Sequence, residues 1–135
     1  MGVVSAEHVR LGVEWGVAQV DHGKRAPLTR MRAGDEFVYY SPREGIREGA
    51  VLKSLTALGE IADDEIYQAE QGEFRPFRRR VTFDPAARVT PIAGLPLELT
   101  SRPNWGYALR LGLVPLSEHD IGVIREAMLS GTAGR

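Results

Sequence analysis

The segment Gln19-Val-Asp-His-Gly-Lys-Arg-Ala-Pro-Leu-Thr-Arg-Met-Arg-Ala-Gly-Asp-Glu-Phe-Val-Tyr-Tyr-Ser-Pro42 constrains the fold more than any other. A polar stretch around His22, Gly23 and Lys24 runs into Pro27, which suits the first position of a short helical turn over residues 28–32. Gly34 stops that turn, and residues 37–41 follow as an aromatic, β-branched strand closed by Pro42. This punctuation leaves no room for a long helix and imposes short elements joined by tight turns. Such a unit is suited to presenting a few polar groups and flat rings around a small pocket.

The flanking sequence completes a mixed pattern. Residues 2–5 read as the end of a short strand, and Ser5 as the N-cap of a helix over 6–15. Val9 and Val13 lie four apart on that helix, and Gly16 is its stop. Residues 53–61, a short piece at Tyr67 and residues 77–83 read as strands. In the last of these Phe77, Val81 and Phe83 share one side, with Arg78, Arg80 and Thr82 on the other. Arg79 falls on the apolar side, where an unpaired guanidinium is very costly. Either a carboxylate from 60–70 pairs it, the favoured reading, or it reaches a ligand. Residues 105–113 alternate and predict a strand with Trp105, Tyr107, Leu109, Leu111 and Leu113 on one side. Ser117 caps a last helix, with Glu118 and Asp120 in its first turn and Ile121, Ile124 and Met128 as its apolar stripe. The expected architecture is one α+β domain over 1–130 with a curled or closed sheet, and a frayed tail over 131–135.

Several function classes lose support at this stage. The 135 residues contain no cysteine, which removes disulfides, thiol chemistry and Cys-ligated zinc and fits a cytoplasmic setting. No Walker A, G-x-G-x-x-G, G-x-S-x-G or H-E-x-x-H motif occurs. Neither a signal peptide nor a membrane span is visible. The formal net charge of −1 argues against a uniformly basic nucleic-acid binder. Charge is nevertheless uneven. Residues 22–47 carry six Lys/Arg against three Asp/Glu, 60–70 carry five acids and no base, and 71–80 carry four Arg and one Glu. These blocks are either solvated faces or patches that steer an anionic partner.

Candidate chemistry rests on single residues. His8, His22 and His119 are too dispersed to predict a metal site. His8 reads as helix surface or packing, and His119 as surface. The Asp63-Asp64-Glu65 cluster reads as a solvated turn more readily than as a cation site. No metal or cofactor is expected. Trp15, Tyr39, Tyr40, Phe77, Trp105 and Tyr107 stand beside basic or small polar residues, an arrangement that serves either a core or stacking on a nucleobase. Trp105, between a Ser-Arg-Pro-Asn loop and Gly106, is the ring best placed to line a cavity.

Many of these short motifs occur together in one family. Val4-Ser-Ala-Glu-His-Val9, Gly16-Val-Ala-Gln-Val20, His22-Gly-Lys24, Pro27-Leu28, Gly34-Asp35 and Tyr39-Tyr-Ser-Pro42 are followed in order by others. These are Thr56-Ala57, Asp63-Asp64, Tyr67-Gln68, Phe74-Arg-Pro-Phe-Arg-Arg79, Trp105-Gly-Tyr107 and Gly112-Leu113. The ordered set resembles the EVE-domain family of the PUA-like superfamily, which also holds the YTH and ASCH modules. Relatives carry several more residues at the start, including a Tyr-Trp pair on the first strand; either the sequence begins downstream of the true start or its first strand is short.

The resemblance implies a PUA-like fold, a strongly curved β-barrel with short helices packed outside. It also implies a pocket that holds a modified base flipped from DNA or RNA. The walls expected by this likeness are Ser5, His22, Gly23, Lys24, Tyr39, Ser41, Pro42 and Trp105. Lys24 would hold a phosphate or exocyclic oxygen, and Trp105 or a tyrosine would stack. Arg25, Arg30, Arg43, Arg78 and Arg80 would track the backbone. A small enzyme using His22 as general base, or a protein-binding aromatic patch, are the competing expectations.

Overall fold

The computed structural model describes residues 1–45 and 49–130. Among these residues seven strands form one mixed sheet: β1 (Gly2–Val3), β2 (Val17–Ala18), β3 (Glu36–Arg43), β4 (Val51–Ile61), β5 (Tyr67–Gln68), β6 (Phe77–Phe83) and β7 (Thr90–Pro91). Among the described residues three α-helices accompany them, α1 (Ala6–Trp15), α2 (Glu98–Ser101) and α3 (Glu118–Ser130). There are also 3-10 segments at Asp21–Gly23, Ala26–Arg30 and Trp105–Leu111. The strand order is β1-β3-β4-β6-β2, with β5 on β6 and β7 on β4, and only the β1–β3 pair is parallel. Among the described residues no helix is long and apolar enough to cross a membrane. The tail expected at 131–135 lies outside the described residues.

β3 explains the architecture. Phe37 to Ser41 are all buried, so this strand has no wet face. Val38 and Tyr40 point into one core with Leu55, Leu58, Ile124 and Met128. Phe37 and Tyr39 point into a second core with Val9, Val20, Leu28 and Val81. Register shifts after Tyr39 and after Ser41 bend the strand, as bulges do. The aromatic run read as a strand is thus the wall between two cores. The edge-on Phe37–Tyr39 pair, with ring centroids 4.8 Å apart, adds about 0.5–1.5 kcal/mol beyond simple burial.

The sheet is not closed into a barrel, which corrects the expectation of a barrel. Its end strands, β1 and β2, pair with β3 and β6 respectively and not with each other. Both are two residues long, because Ser5 starts α1 at once and Asp21 starts a turn at once. Side chains span the seam instead. A side chain at Gly2 would come within 2.8 Å of Val20, and the Tyr39 hydroxyl reaches the backbone of β2 and Gln19.

Local signals account for the helices. Ser5 caps α1 by accepting from the His8 amide at 3.2 Å, and left-handed Gly16 ends the helix. The buried side of α1 is Ala6, Val9 and Gly12, whereas Val13 is exposed. The helix rests on Tyr39 through Gly12, which turns the Val13 side outward. Ser117 accepts from the Asp120 amide at 3.1 Å at the start of α3. Buried Asp120 in turn accepts from the first amides of α2, Glu98 at 2.8 Å and Leu99 at 3.0 Å. Residues 105–111 are not the predicted strand. Left-handed Asn104 and Gly112 turn the chain at both ends, the amides bond locally, and Tyr107 and Leu111 are exposed.

Arg79 is 2% exposed on β6. Its guanidinium donates to the carbonyls of Leu28 (3.1 Å), Met31 and Asp63, while the exposed Asp64 carboxylate lies 3.8 Å away. The expected carboxylate is present, but three backbone oxygens are the principal partners. One side chain ties the 3-10 segment after Pro27 to the loop after β4.

Candidate functional site

A cavity of about 540 Å³ opens where the start of α1, the chain after β2, the end of β3 and the 3-10 segment before Gly112 meet. His8 and Gln19 form its polar wall. The His8 Nε2 lies 3.1 Å from the Gln19 carbonyl. That oxygen only accepts, so Nε2 carries the proton and Nδ1 of the neutral ring is an acceptor. Burial holds the His8 pKa below its ordinary value, the Gln19 bond opposes this, and nearby Arg78 adds to the lowering. The ring is therefore neutral at pH 7.

Gln19 is held on several sides. Its amide N–H donates to the Tyr39 hydroxyl at 3.0 Å, and its Oε1 accepts from Arg78 Nε at 2.8 Å. The Arg78 guanidinium lies over the Trp15 ring, 4.6 Å from its centroid. Beyond His8, Gln19 and Phe74, a second concavity of about 380 Å³ continues along α1 to Leu11 and Trp15.

The floor of the main cavity contains a strained turn. Asp21, His22 and Gly23 have φ of 48°, 59° and 78°, three left-handed residues in succession. A non-glycine residue there costs on the order of 1–3 kcal/mol. Packing on both sides fixes the turn. A side chain at Gly23 would come within 2.6 Å of Pro76, and one at Gly112 within 2.8 Å of Asp21. Only glycine permits these two approaches.

Of the residues expected at the pocket, the structure brings Ser5, His22, Gly23 and Pro42 together there, and Arg43 with them. Lys24 is exposed outside the lining, 4.0 Å from Asp21. Tyr39 is fully buried behind Gln19 rather than facing the cavity. Ser41 is fully buried and bonds Thr56 Oγ1 at 2.9 Å. Trp105 packs on the other core, edge-on to Tyr40 with centroids 6.4 Å apart. These three displacements share one cause, since β3 is covered on both faces.

Among the arginines, Arg25 is exposed before the Pro27 segment, and Arg30 borders a separate groove with Met31 and Glu36. Arg80 pairs with Asp63 at 3.2 Å and with Glu65, and covers the Tyr67 ring. The acidic turn is thus an ion-pair partner, and Asp64 also caps the Ala33 amide at 2.8 Å. His119 bonds the Pro96 carbonyl on the surface.

Sequence reasoning passed over His8, Gln19, Phe74 and Arg110 as pocket residues. Gln19 carried a usable signal, as a polar residue between Ala18 and Val20. His8 follows the N-cap by three residues, which aims it toward the mouth of the cavity. Arg110 carried none, because its segment read as a strand.

The EVE domain family model matches residues 2–127 of the chain. A UPF0310 protein of Renibacterium salmoninarum is 48% identical over 134 residues, covering 98% of this chain and 96% of that protein. A UPF0310 protein of Bacillus licheniformis is 40% identical, covering 93% and 87%. The NMR structure of Rpa0253 from Rhodopseudomonas palustris shares the fold with a TM-score of 0.57 at 16% identity, over 100% of this chain and 97% of that one.

Proposed function

Because the chain belongs to the EVE-domain family, whose members commonly bind nucleic acid, we propose that it is a non-catalytic reader of a modified base. The base is flipped out of DNA or RNA into the cavity at His8 and Gln19. The observation that carries this reading is the make-up of that cavity. A neutral imidazole and a firmly held glutamine form the inner wall, and exposed Arg43 and Arg110 stand among its lining residues. An acceptor at His8 Nδ1 and the Gln19 amide suit the edge of a base. Two arginines suit the phosphates beside it. Flipping costs a few kcal/mol, least where the base is modified or unpaired, so a built cavity favours such bases.

The test is fluorescence anisotropy with single-stranded and duplex oligonucleotides. Each carries one 5-methylcytosine, 5-hydroxymethylcytosine or N6-methyladenine, beside unmodified controls. Binding of at least one modified probe about tenfold tighter than its control, with the preference lost in His8→Ala, supports the reading. Arg110→Ala is expected to weaken all probes together and to flatten the salt dependence. Equal affinity for modified and unmodified probes leaves only backbone binding, and no binding at all removes the proposal.

A further inference from the structure

We propose that the concavity along α1 receives the nucleobase next to the one in the cavity, unpaired and on the same strand. The inference rests on the nucleic-acid-binding reading above. The two concavities share His8, Gln19 and Phe74 as common walls, so they form one continuous surface. Beyond those walls the surface becomes apolar and accessible. Leu11 is 42%, Trp15 44% and Phe74 46% exposed.

The Trp15 ring is not loose. Arg78 lies over it, and the same guanidinium is anchored to Gln19 Oε1 at 2.8 Å and Gln71 Oε1 at 3.4 Å. The arginine thus fixes the indole and leaves a cation at the groove, while no acidic residue lines it. A rigid exposed indole, a second ring at Phe74 and an adjacent cation match what a base and its phosphate require. A peptide partner would need a carboxylate placed beside the ring to use the cation, whereas every nucleotide carries its phosphate. A paired neighbour in a duplex stays stacked on its own helix, so the groove selects a single strand or an opened site.

The experiment uses the whole chain and six-nucleotide single-stranded oligonucleotides with a central modified base, chosen by the panel above. Each is made with normal flanking bases and with abasic flanks. Trp15→Ala is expected to weaken the flanked probe about ten- to hundredfold. It should leave the abasic-flanked probe within about twofold of wild type, and Trp15→Phe should restore most of the loss. Thermal melts check that the variants fold. Equal losses on both probes, or no loss on either, overturn the inference while leaving the base-reading proposal standing. Failure of wild type to bind any probe removes both. Self-association in sedimentation that Trp15→Ala abolishes makes the groove a contact between two copies, and also overturns it.

Discussion

The Tyr39 hydroxyl accepts the backbone N–H of Gln19 at 3.0 Å, across the seam where the two ends of the sheet fail to pair. It is also within 3.4 Å of the Val17 carbonyl. Burial pushes the phenol pKa up, so the group is a neutral hydroxyl at any ordinary pH. Tyr39→Phe keeps the ring contacts with Phe37 and Phe83 but leaves a buried amide without its acceptor. The expected cost is about 1–3 kcal/mol in urea denaturation. Because Gln19 lines the cavity, oligonucleotide affinity should fall with it. An unchanged denaturation midpoint would mean that the seam is held by α1 packing alone.

Arg79 stabilises through its position rather than through its charge partner. Arg79→Met leaves the Met31 and Asp63 carbonyls without the arginine donor, and the Leu28 carbonyl with the Met31 amide alone, and should cost about 3 kcal/mol. Arg79→Lys should not rescue it, because an ammonium cannot fork toward oxygens from two loops. Asp64→Asn should change stability by less than about 1 kcal/mol, since that carboxylate is 78% exposed. Urea melts of the three variants decide this ordering. A loss in Asp64→Asn as large as that in Arg79→Met would mean that the ion pair, and not the carbonyl bonds, holds the two loops together.

His8 predicts a pH dependence of known sign. Its folded pKa lies below its unfolded value because burial disfavours the charged ring, faced by cationic Arg78 and the Tyr39 ring. Above the unfolded value, about 6.5, both states are neutral and its full contribution is present. As pH falls below that value the unfolded chain takes up the proton first, so stability declines until the folded ring also protonates. Urea melts between about pH 5 and 7.5 should show this decline, and His8→Gln should remove the part due to this group. A slope that the substitution leaves unchanged assigns the whole effect elsewhere, with the buried α-amino group of Met1, whose pKa burial lowers to about 5, as the other group of the same sign.

The sequence revealed the elements better than it revealed which of their faces were free. Caps at Ser5 and Ser117, the Pro27 turn and the strand at 77–83 were legible because each depends on local chemistry. The family resemblance implies Tyr39, Ser41 and Trp105 as pocket walls, and Trp105 also stands between a polar loop and Gly106. Their burial is set by what α1 and α3 lay against β3, which no local pattern records. The open seam was hidden for a similar reason, since two-residue strands leave almost no periodic signal. Arg79 is the exception: a charge out of pattern on an apolar face predicts a buried, partnered guanidinium, although its main partners are backbone carbonyls and not the carboxylate that the pattern favours.

The left-handed turn at Asp21, His22 and Gly23 sets stability against function. His22 has a φ of 59°, a conformation that costs a β-carbon-bearing residue on the order of 1–3 kcal/mol, whereas glycine adopts it freely. Replacing His22 by glycine removes that strain but adds about 0.5–1 kcal/mol of chain entropy. The net expectation is a gain of about 1 kcal/mol, seen as a higher melting temperature. The same variant deletes a side chain that lines the cavity, so affinity for the modified oligonucleotide should drop. Gly112→Ala moves the other way on stability. Its φ is 74° and its new methyl would press on the Asp21 backbone, so a loss above about 1 kcal/mol is expected. A His22→Gly protein that is less stable than wild type would show that the imidazole makes contacts worth more than the strain it imposes. One that is more stable and binds equally well would remove His22 from the site.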